Sequence, residues 1–351
     1  MVVYVNLDNF SQPGTTLVQD DPLKEDEVLD PIAVKVMDMM QKLDESLIRG
    51  YIEQITSFGP HPTARRIPYK LSNRPIIGRF FDLPIEKVAK YIYNEFESMG
   101  LKVRYQHWEQ DTTIKNLKVP SYYRGWLIGD NVEAVLPGTD ESSDEIYVLV
   151  AHYDTMNMLG ARDRSPNVVG ANDDSSGIAA LLAAAKFMSH YSFNHTVRFL
   201  ATSGEEQGLY GAHAYAEEAF KNNDNIVAAI SIEMLGGYHG PDHRDTDPLE
   251  ILASTGDESS WLCDFTVNVS KRYPEFLNFT VINGGLKDHS SDYIAFLKYD
   301  CAGVCIAEPV TAETMHTRLD TIGNMDMSYA TKASRLVLAT VAELAWGVES
   351  E

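Results

Sequence analysis

The first periodic pattern of apolar residues begins only after a polar stretch. Residues 1–29 are polar and acidic without a period, which predicts an N-terminal arm. Asp30 and Pro31 then supply a cap and an N1 proline before a run of apolar residues at helical spacing. This pattern predicts a helix with a break near Asp44, at the start of a domain that spans 30–351.

The next segments combine a long loop with a second helix and a strand. Residues 59–82 contain four prolines and no sustained period, which predicts a loop. Pro84 begins a helical pattern, and 102–108 alternates as a strand does. Because 131–136 also resembles a strand of the main sheet, the sequence places no firm boundary between the 30–130 portion and the rest.

A continuous apolar run at 146–151 is typical of a central strand that is covered on both faces. After it, apolar strands alternate with helical patterns, which predicts an α/β fold. The expected architecture is a three-layer sandwich around a mostly parallel central sheet. Predicted strands are 196–202, 226–232, 249–254 and 301–307, and predicted helices lie near 176–189, 208–221, 258–272, 290–298 and 327–346.

Composition and charge narrow the class of partner. The chain has 351 residues and a formal net charge of −22, which disfavours binding to nucleic acid or to anionic lipid. It contains no apolar run of 18 residues, so stable membrane insertion is not expected. The compartment is left open: a removed leader would place the chain outside the cell or at its surface, and otherwise it would be cytoplasmic.

Polar residues that could hold a metal follow the predicted parallel strands. His152 and Asp154 come directly after a buried strand, a spacing that suits a metal-ligating His oriented by a carboxylate. Asp173 and Asp174 lie in the turn Gly170–Gly177, which opens a helix. A helix cap explains one of these two aspartates, and the turn alone does not decide between a structural and a functional role for the other.

Two adjacent glutamates carry a stronger signal. Glu205 and Glu206 follow the 196–202 strand, where their mutual repulsion needs a compensating charge such as a metal ion. One glutamate can then ligate while its neighbour accepts a proton from water. Glu233, at the end of another strand, and His316, in a late polar loop, would add further ligands, although each is unremarkable by itself.

Together these motifs resemble the co-catalytic zinc aminopeptidases and glutamate carboxypeptidases. The matching patterns are His-x-Asp at 152–154, Gly-Ala-x-Asp-x-x-Ser-Gly at 170–177 and Glu-Glu-x-Gly-x-x-Gly at 205–211. The similarity extends from about residue 131 to the C-terminus and is weaker through 30–108. The resemblance implies a zinc exopeptidase-like fold and two Zn²⁺ ions per chain.

The same resemblance implies a site of five metal ligands and two catalytic residues. The ligands are His152, Asp173, Glu206, Glu233 and His316. Asp173 would bridge the two ions, and Glu206 and His316 would belong to the same ion. The catalytic residues would be Glu205, as the general base, and Asp154, which orients His152.

The predicted reaction is removal of N-terminal residues from peptides by attack of activated water. A carboxypeptidase, a dipeptidase or an N-acyl amino acid hydrolase would use the same two-zinc site. Glu233 stands where aminopeptidases of this family commonly have Asp, which leaves the substrate class open. Arg162, Arg164 and Arg318 are candidate clamps for a substrate carboxylate. Residues 288–290 resemble a substrate-side segment, with a helix cap as the alternative.

Two further readings compete with hydrolysis. A binding ectodomain without catalysis should have lost ligands or the base, whereas every position here is filled. A glutaminyl cyclase on this scaffold normally lacks the first ligand His, so His152 counts against it. The sequence does not predict the oligomeric state or the side-chain preference at the scissile bond.

Overall fold

A computed structural model describes most of the chain after the N-terminal arm. The described residues are 30–62, 83–111, 126–156, 167–237, 249–253, 257–277, 280–283, 291–308 and 314–348. The predicted arm 1–29 and most of the predicted loop 59–82 lie outside them. Among the described residues, no helix is both long and apolar enough to cross a membrane.

The helices and strands alternate through most of the chain. The described helices are α1 (Pro31–Lys42), α2 (Glu45–Ser57), α3 (Pro84–Ser98), α4 (Ser175–Met188), α5 (Tyr210–Lys221), α6 (Ser260–Arg272), α7 (Ile294–Leu297) and α8 (Met327–Trp346). The described strands are β1 (Lys102–Asp111), β2 (Trp126–Leu136), β3 (Glu145–His152), β4 (Thr196–Thr202), β5 (Asn225–Glu233), β6 (Leu249–Ala253), β7 (Val281–Asn283) and β8 (Ala302–Ala307). The predicted break near Asp44 is confirmed, because the Asp44 carboxylate caps α2 by accepting from Leu47 N.

The described strands form one eight-stranded sheet in the order β1-β2-β4-β3-β5-β8-β6-β7. The four central strands β4, β3, β5 and β8 are parallel, so their carboxyl ends lie at one edge of the sheet. On the two sides, β2 pairs antiparallel with β4 and β6 pairs antiparallel with β8. The predicted α/β class is therefore confirmed, with a parallel centre inside a mixed sheet.

Successive residues of β3 face opposite layers of helices. Leu149 belongs to a core with buried residues of α1, α2, α4 and α8. Val150 belongs to a second core with residues of α5 and α7. This burial of both faces is the physical reason for the continuous apolar run in the sequence.

Three elements differ from the sequence prediction, the first being β2, which begins at Trp126 and not near residue 131. The helix expected over 290–298 is reduced to α7, because Tyr293 N donates to Ser231 Oγ at 2.7 Å and this contact holds the preceding segment against β5. The short strand β7 was not predicted, since three residues give too little alternation to recognise.

Candidate metal centre

His152 ends β3 with its side chain buried among carboxylates. Its Nε2 lies 3.2 Å from Asp173 Oδ1 and 3.4 Å from Glu233 Oε1. Its Nδ1 lies 3.1 Å from the backbone carbonyl of Asp154 and 3.6 Å from that residue's carboxylate. An Nδ1–H that donates to the carbonyl leaves the Nε2 lone pair directed at the carboxylates, as a metal ligand requires.

The turn before α4 gives its two aspartates different partners. Asp174 caps the helix, since its Oδ1 accepts from Gly177 N at 3.0 Å and from Met234 N at 3.2 Å. The Asp173 carboxylate instead faces two histidines, one with each oxygen. Gly170 begins the turn at φ +62°, where a side chain would meet the backbone oxygen of Asp173 at 2.4 Å.

The loop after β4 delivers both glutamates to the same place. Gly204 N and Glu205 N donate to Asp154 Oδ1 at 3.0 and 3.3 Å, which ties this loop to the end of β3. Glu206 Oε2 lies 3.0 Å from His316 Nε2, and the same nitrogen lies 2.9 Å from Asp173 Oδ2. Asp154 thus contacts the loop through its carboxylate and His152 through its carbonyl.

These side chains form two adjacent clusters of possible metal ligands. One contains His152 and Glu233, and the other contains Glu206 and His316; Asp173 directs one oxygen at each. Two atoms that each lie about 2.0–2.1 Å from a tetrahedral zinc are about 3.3 Å apart, close to the observed nitrogen–oxygen distances. The donor set of imidazole and carboxylate also suits zinc. The described residues therefore fit two zinc ions that share Asp173.

Asp174 offers an alternative ligand for the first cluster. Its carboxylate lies within 4.8 Å of the ligand atoms of His152 and Glu233. Its Oδ2 is buried and has no hydrogen-bond partner among the described residues. Because its other oxygen is engaged by two backbone N–H groups, Asp174 is suited to hold the turn in place while Asp173 faces both clusters.

The electrostatics of the centre call for added positive charge. Burial raises the pKa of Glu205 well above its usual value, and the nearby Glu233 and Glu206 add to the rise. Burial and the Asp173 carboxylate likewise raise the pKa of Glu206 to about 8. Burial lowers the pKa of His316, but hydrogen bonds with Asp173 and Glu206 outweigh it and raise the pKa to about 10. These shifts reflect the close approach of several buried carboxylates, whose charge a divalent cation would offset.

Three buried carboxylates near the centre were not singled out by the sequence. Asp320 accepts from Asn172 N at 2.7 Å and from Asp173 N at 3.1 Å, and so orients Asp173. Asp292 accepts a hydrogen bond from the Thr202 hydroxyl, and Glu308 accepts one from Asn172 Nδ2 at 3.0 Å. The only sequence signal for Asp320 is its position four residues after His316. Residues 288–290, Arg162 and Arg164 lie outside the described residues.

We expect about two zinc ions per chain after reconstitution, because two pairs of terminal ligands share one carboxylate. His152→Ala should lower the content to about one ion, since it leaves the Glu206 and His316 cluster complete. Metal analysis of the dialysed protein measures both values, and circular dichroism shows whether the variant keeps its fold. Wild-type protein that binds at most one ion would contradict the pair.

Comparisons with known proteins identify a family for this chain. The model of peptidase family M28 matches residues 131–341. A probable zinc metalloprotease of Leptosphaeria maculans is 27% identical over 219 residues, which cover 62% of this chain and 47% of that protein. The chain spans about half the length of the first curated relatives it matches.

Solved structures show the same fold at low sequence identity. The aminopeptidase from Aneurinibacillus sp. strain AM-1 has a TM-score of 0.68 and 15% identity, with 90% of this chain and 97% of that chain covered. A glutaminyl cyclase of Fimbriiglobus ruber has a TM-score of 0.65 and 17% identity, covering 86% of this chain and 95% of that chain. At these identities the likeness concerns the fold, which both activities share.

Proposed function

The chain belongs to peptidase family M28, and on this premise we propose that it is a two-zinc aminopeptidase, which removes N-terminal residues from peptides. The observation that carries the proposal is the charge of the cleft beside the metal centre. This cleft has a volume of about 170 Å³, and its described lining contains five carboxylates and neither lysine nor arginine. Two bound zinc ions would offset the three ligand carboxylates, which leaves Glu205 and Glu308 to attract the protonated amine of a peptide N-terminus. The described lining offers no cation that would bind a C-terminal carboxylate.

The rest of the cleft lining suggests an apolar N-terminal side chain. Met234, Leu252 and Ala307 face the cleft, together with Met315 and the buried Cys305. An apolar side chain gains free energy on leaving water for this surface. We therefore propose that aliphatic N-terminal residues are preferred over charged ones.

In the proposed reaction Glu205 is the general base. It lines the cleft beside both ligand clusters, where it can take a proton from water and return it to the leaving amine. Bound zinc ions would lower the pKa of the attacking water and polarise the scissile carbonyl. Asp173 directs one oxygen at each cluster and so sets their separation, which would allow the carbonyl and the water to be placed side by side.

The remaining candidate clamp for a substrate carboxylate among the described residues is Arg318. It is exposed and does not line the cleft. The position of Arg318 therefore favours an aminopeptidase over a carboxypeptidase or an N-acyl hydrolase. The presence of His152 in the first cluster likewise favours hydrolysis over cyclisation, because a glutaminyl cyclase on this scaffold is expected to lack that ligand.

The test compares peptides with free and acetylated N-termini. We expect acetylation to lower kcat/KM by roughly 10- to 100-fold, because it removes a charge-assisted hydrogen bond worth about 1.5–3 kcal/mol. Release of the first residue is followed by mass spectrometry, with and without a chelator, on peptides that begin with leucine, glutamate or glutamine.

Each alternative gives a different product in the same assay. Acetylated peptides cleaved at least as fast as free ones would replace the aminopeptidase with an N-acyl hydrolase or a carboxypeptidase. A cyclase would convert the N-terminal glutamine without shortening the peptide. Zinc-loaded protein that leaves every peptide unchanged would favour the binding ectodomain.

A further inference from the structure

One side chain connects both ends of the loop that carries the two glutamates. Asn131, in β2, is fully buried. Its Oδ1 accepts from Ser203 N at 3.2 Å, and its Nδ2 donates to Gly211 O at 2.8 Å. Since Ser203 N can only donate and Gly211 O can only accept, the orientation of the amide follows from its partners.

The two ends of this loop approach so closely that a side chain would not fit between them. Gly211 N donates to Ser203 O at 3.1 Å. A Cβ at Gly211 would lie 2.2 Å from Ser203 O and 2.4 Å from Asn131 Oδ1. The loop 203–211 is therefore closed at its base by the Asn131 amide and by two backbone hydrogen bonds, the second from Tyr210 N to Gly204 O at 2.9 Å.

Further hydrogen bonds connect the Asn131 amide to β1 and, through it, to α5. Its Nδ2 also donates to Gln106 Oε1 at 2.7 Å. Gln106 Nε2 in turn donates to Glu218 Oε2 at 2.7 Å, and Glu218 Oε1 accepts from Arg104 at 2.6 Å. Both N–H groups of the Asn131 amide are thus used, and its position is set by β1 and α5 as well as by the loop.

The position of this loop determines where Glu205 and Glu206 lie. Ser203 is only two residues from Glu205, and a buried hydrogen bond at the base of a closed loop limits how far its tip can shift. We propose that Asn131 is a positioning residue, which holds the general base and one metal ligand at their working separation by clamping the ends of this loop. The catalytic part of this inference rests on the proposed function, whereas the part that concerns zinc does not.

The isosteric change Asn131→Asp tests the clamp directly. The new carboxylate keeps the acceptor for Ser203 N but places a second oxygen against Gly211 O and Gln106 Oε1, which should open the base of the loop. Mutation of a residue that supports a metal ligand typically lowers metal affinity or activity by about 10–100-fold. We expect kcat to fall in this range, with KM within about three-fold of wild type.

Zinc affinity supplies a measurement that needs no substrate. Competition with a chromophoric chelator should show that one of the two zinc ions binds about ten-fold more weakly, because Glu206 shifts with the loop. If wild-type protein proved inactive on peptides, the proposed function would fail while this comparison still decided the role of Asn131. An unchanged zinc Kd in folded Asn131→Asp would overturn the inference.

Two more variants separate positioning from general stability. Tyr215→Phe is the matched control: Tyr215 is buried on α5, and its hydroxyl donates to Glu133 and accepts from Arg198, neither of which belongs to the loop. It should lower Tm and leave kcat and the zinc Kd unchanged. Gln106→Met removes the support behind Asn131 and should change kcat in the same direction as Asn131→Asp, by a smaller factor.

The controls also define how the inference could fail. If Tyr215→Phe lowered kcat as much as Asn131→Asp does, the effect would reflect loss of buried hydrogen bonds in general. If Asn131→Asp did not fold, Gln106→Met would decide, and wild-type kcat and zinc affinity in that variant would overturn the clamp.

Discussion

Glu205→Gln is expected to lower kcat by roughly two to four orders of magnitude while both zinc ions remain bound. The glutamine side chain has the same size but cannot accept a proton. The backbone N–H of residue 205 still donates to Asp154 Oδ1, so the loop should keep its position. Steady-state kinetics on an amino-acid p-nitroanilide, together with metal analysis of the same sample, measure both expected results.

The neighbouring glutamate provides the matched control. Glu206→Gln makes the same chemical change one residue away, at a side chain whose Oε2 contacts His316 Nε2. We expect this variant to lose zinc affinity first and activity as a consequence. Equal zinc loss in the two variants would show that the roles of general base and ligand are wrongly assigned.

Asp173→Asn should have the second large effect, with activity reduced by roughly three orders of magnitude and zinc bound weakly at both positions. The amide offers one oxygen and no charge where the carboxylate faces His152 with Oδ1 and His316 with Oδ2. Each cluster therefore loses part of a shared ligand. Zinc titration followed by calorimetry measures the loss at both positions.

A variant of Asp174 tests which of the two adjacent aspartates is shared by the two zinc ions. Asp174→Asn keeps Oδ1 as the acceptor for Gly177 N and Met234 N, so the cap of α4 should survive. We expect near wild-type zinc content and little change in the free energy of unfolding, because asparagine caps a helix about as well as aspartate. If Asp174→Asn lost zinc as severely as Asp173→Asn, Asp174 would be a ligand as well.

The central part of the fold is well determined by local patterns. The run at 146–151 is apolar because β3 is buried on both faces, and its boundaries are within one residue of the prediction. The short helix α7 could not be predicted in the same way. Its start depends on the contact of Tyr293 N with Ser231, which lies far away along the chain.

In the candidate site, too, the sequence predicts the residues that belong to local motifs but not those whose roles depend on contacts with distant parts of the chain. Motifs such as Glu205-Glu206 indicate chemistry because adjacent buried carboxylates need compensation. The roles of Asp320 and Asn131 are not visible in this way, since a single aspartate or asparagine is common in any chain. Both act through backbone groups of distant loops, and only the folded arrangement shows which N–H groups their side chains meet.

The position of Asp173 between the two clusters also has a consequence for synthesis of the chain. His152 leaves the ribosome long before His316, because nearly half of the chain separates them. A nascent chain therefore cannot complete the second cluster until β8 and the loop after it have emerged. A product that terminates early lacks His316 and also α8, whose Leu336 and Val337 are fully buried in the core. Under the proposed assignment of ligands, a chain cut short before His316 would therefore lack the second zinc as well as the part of the core that α8 provides.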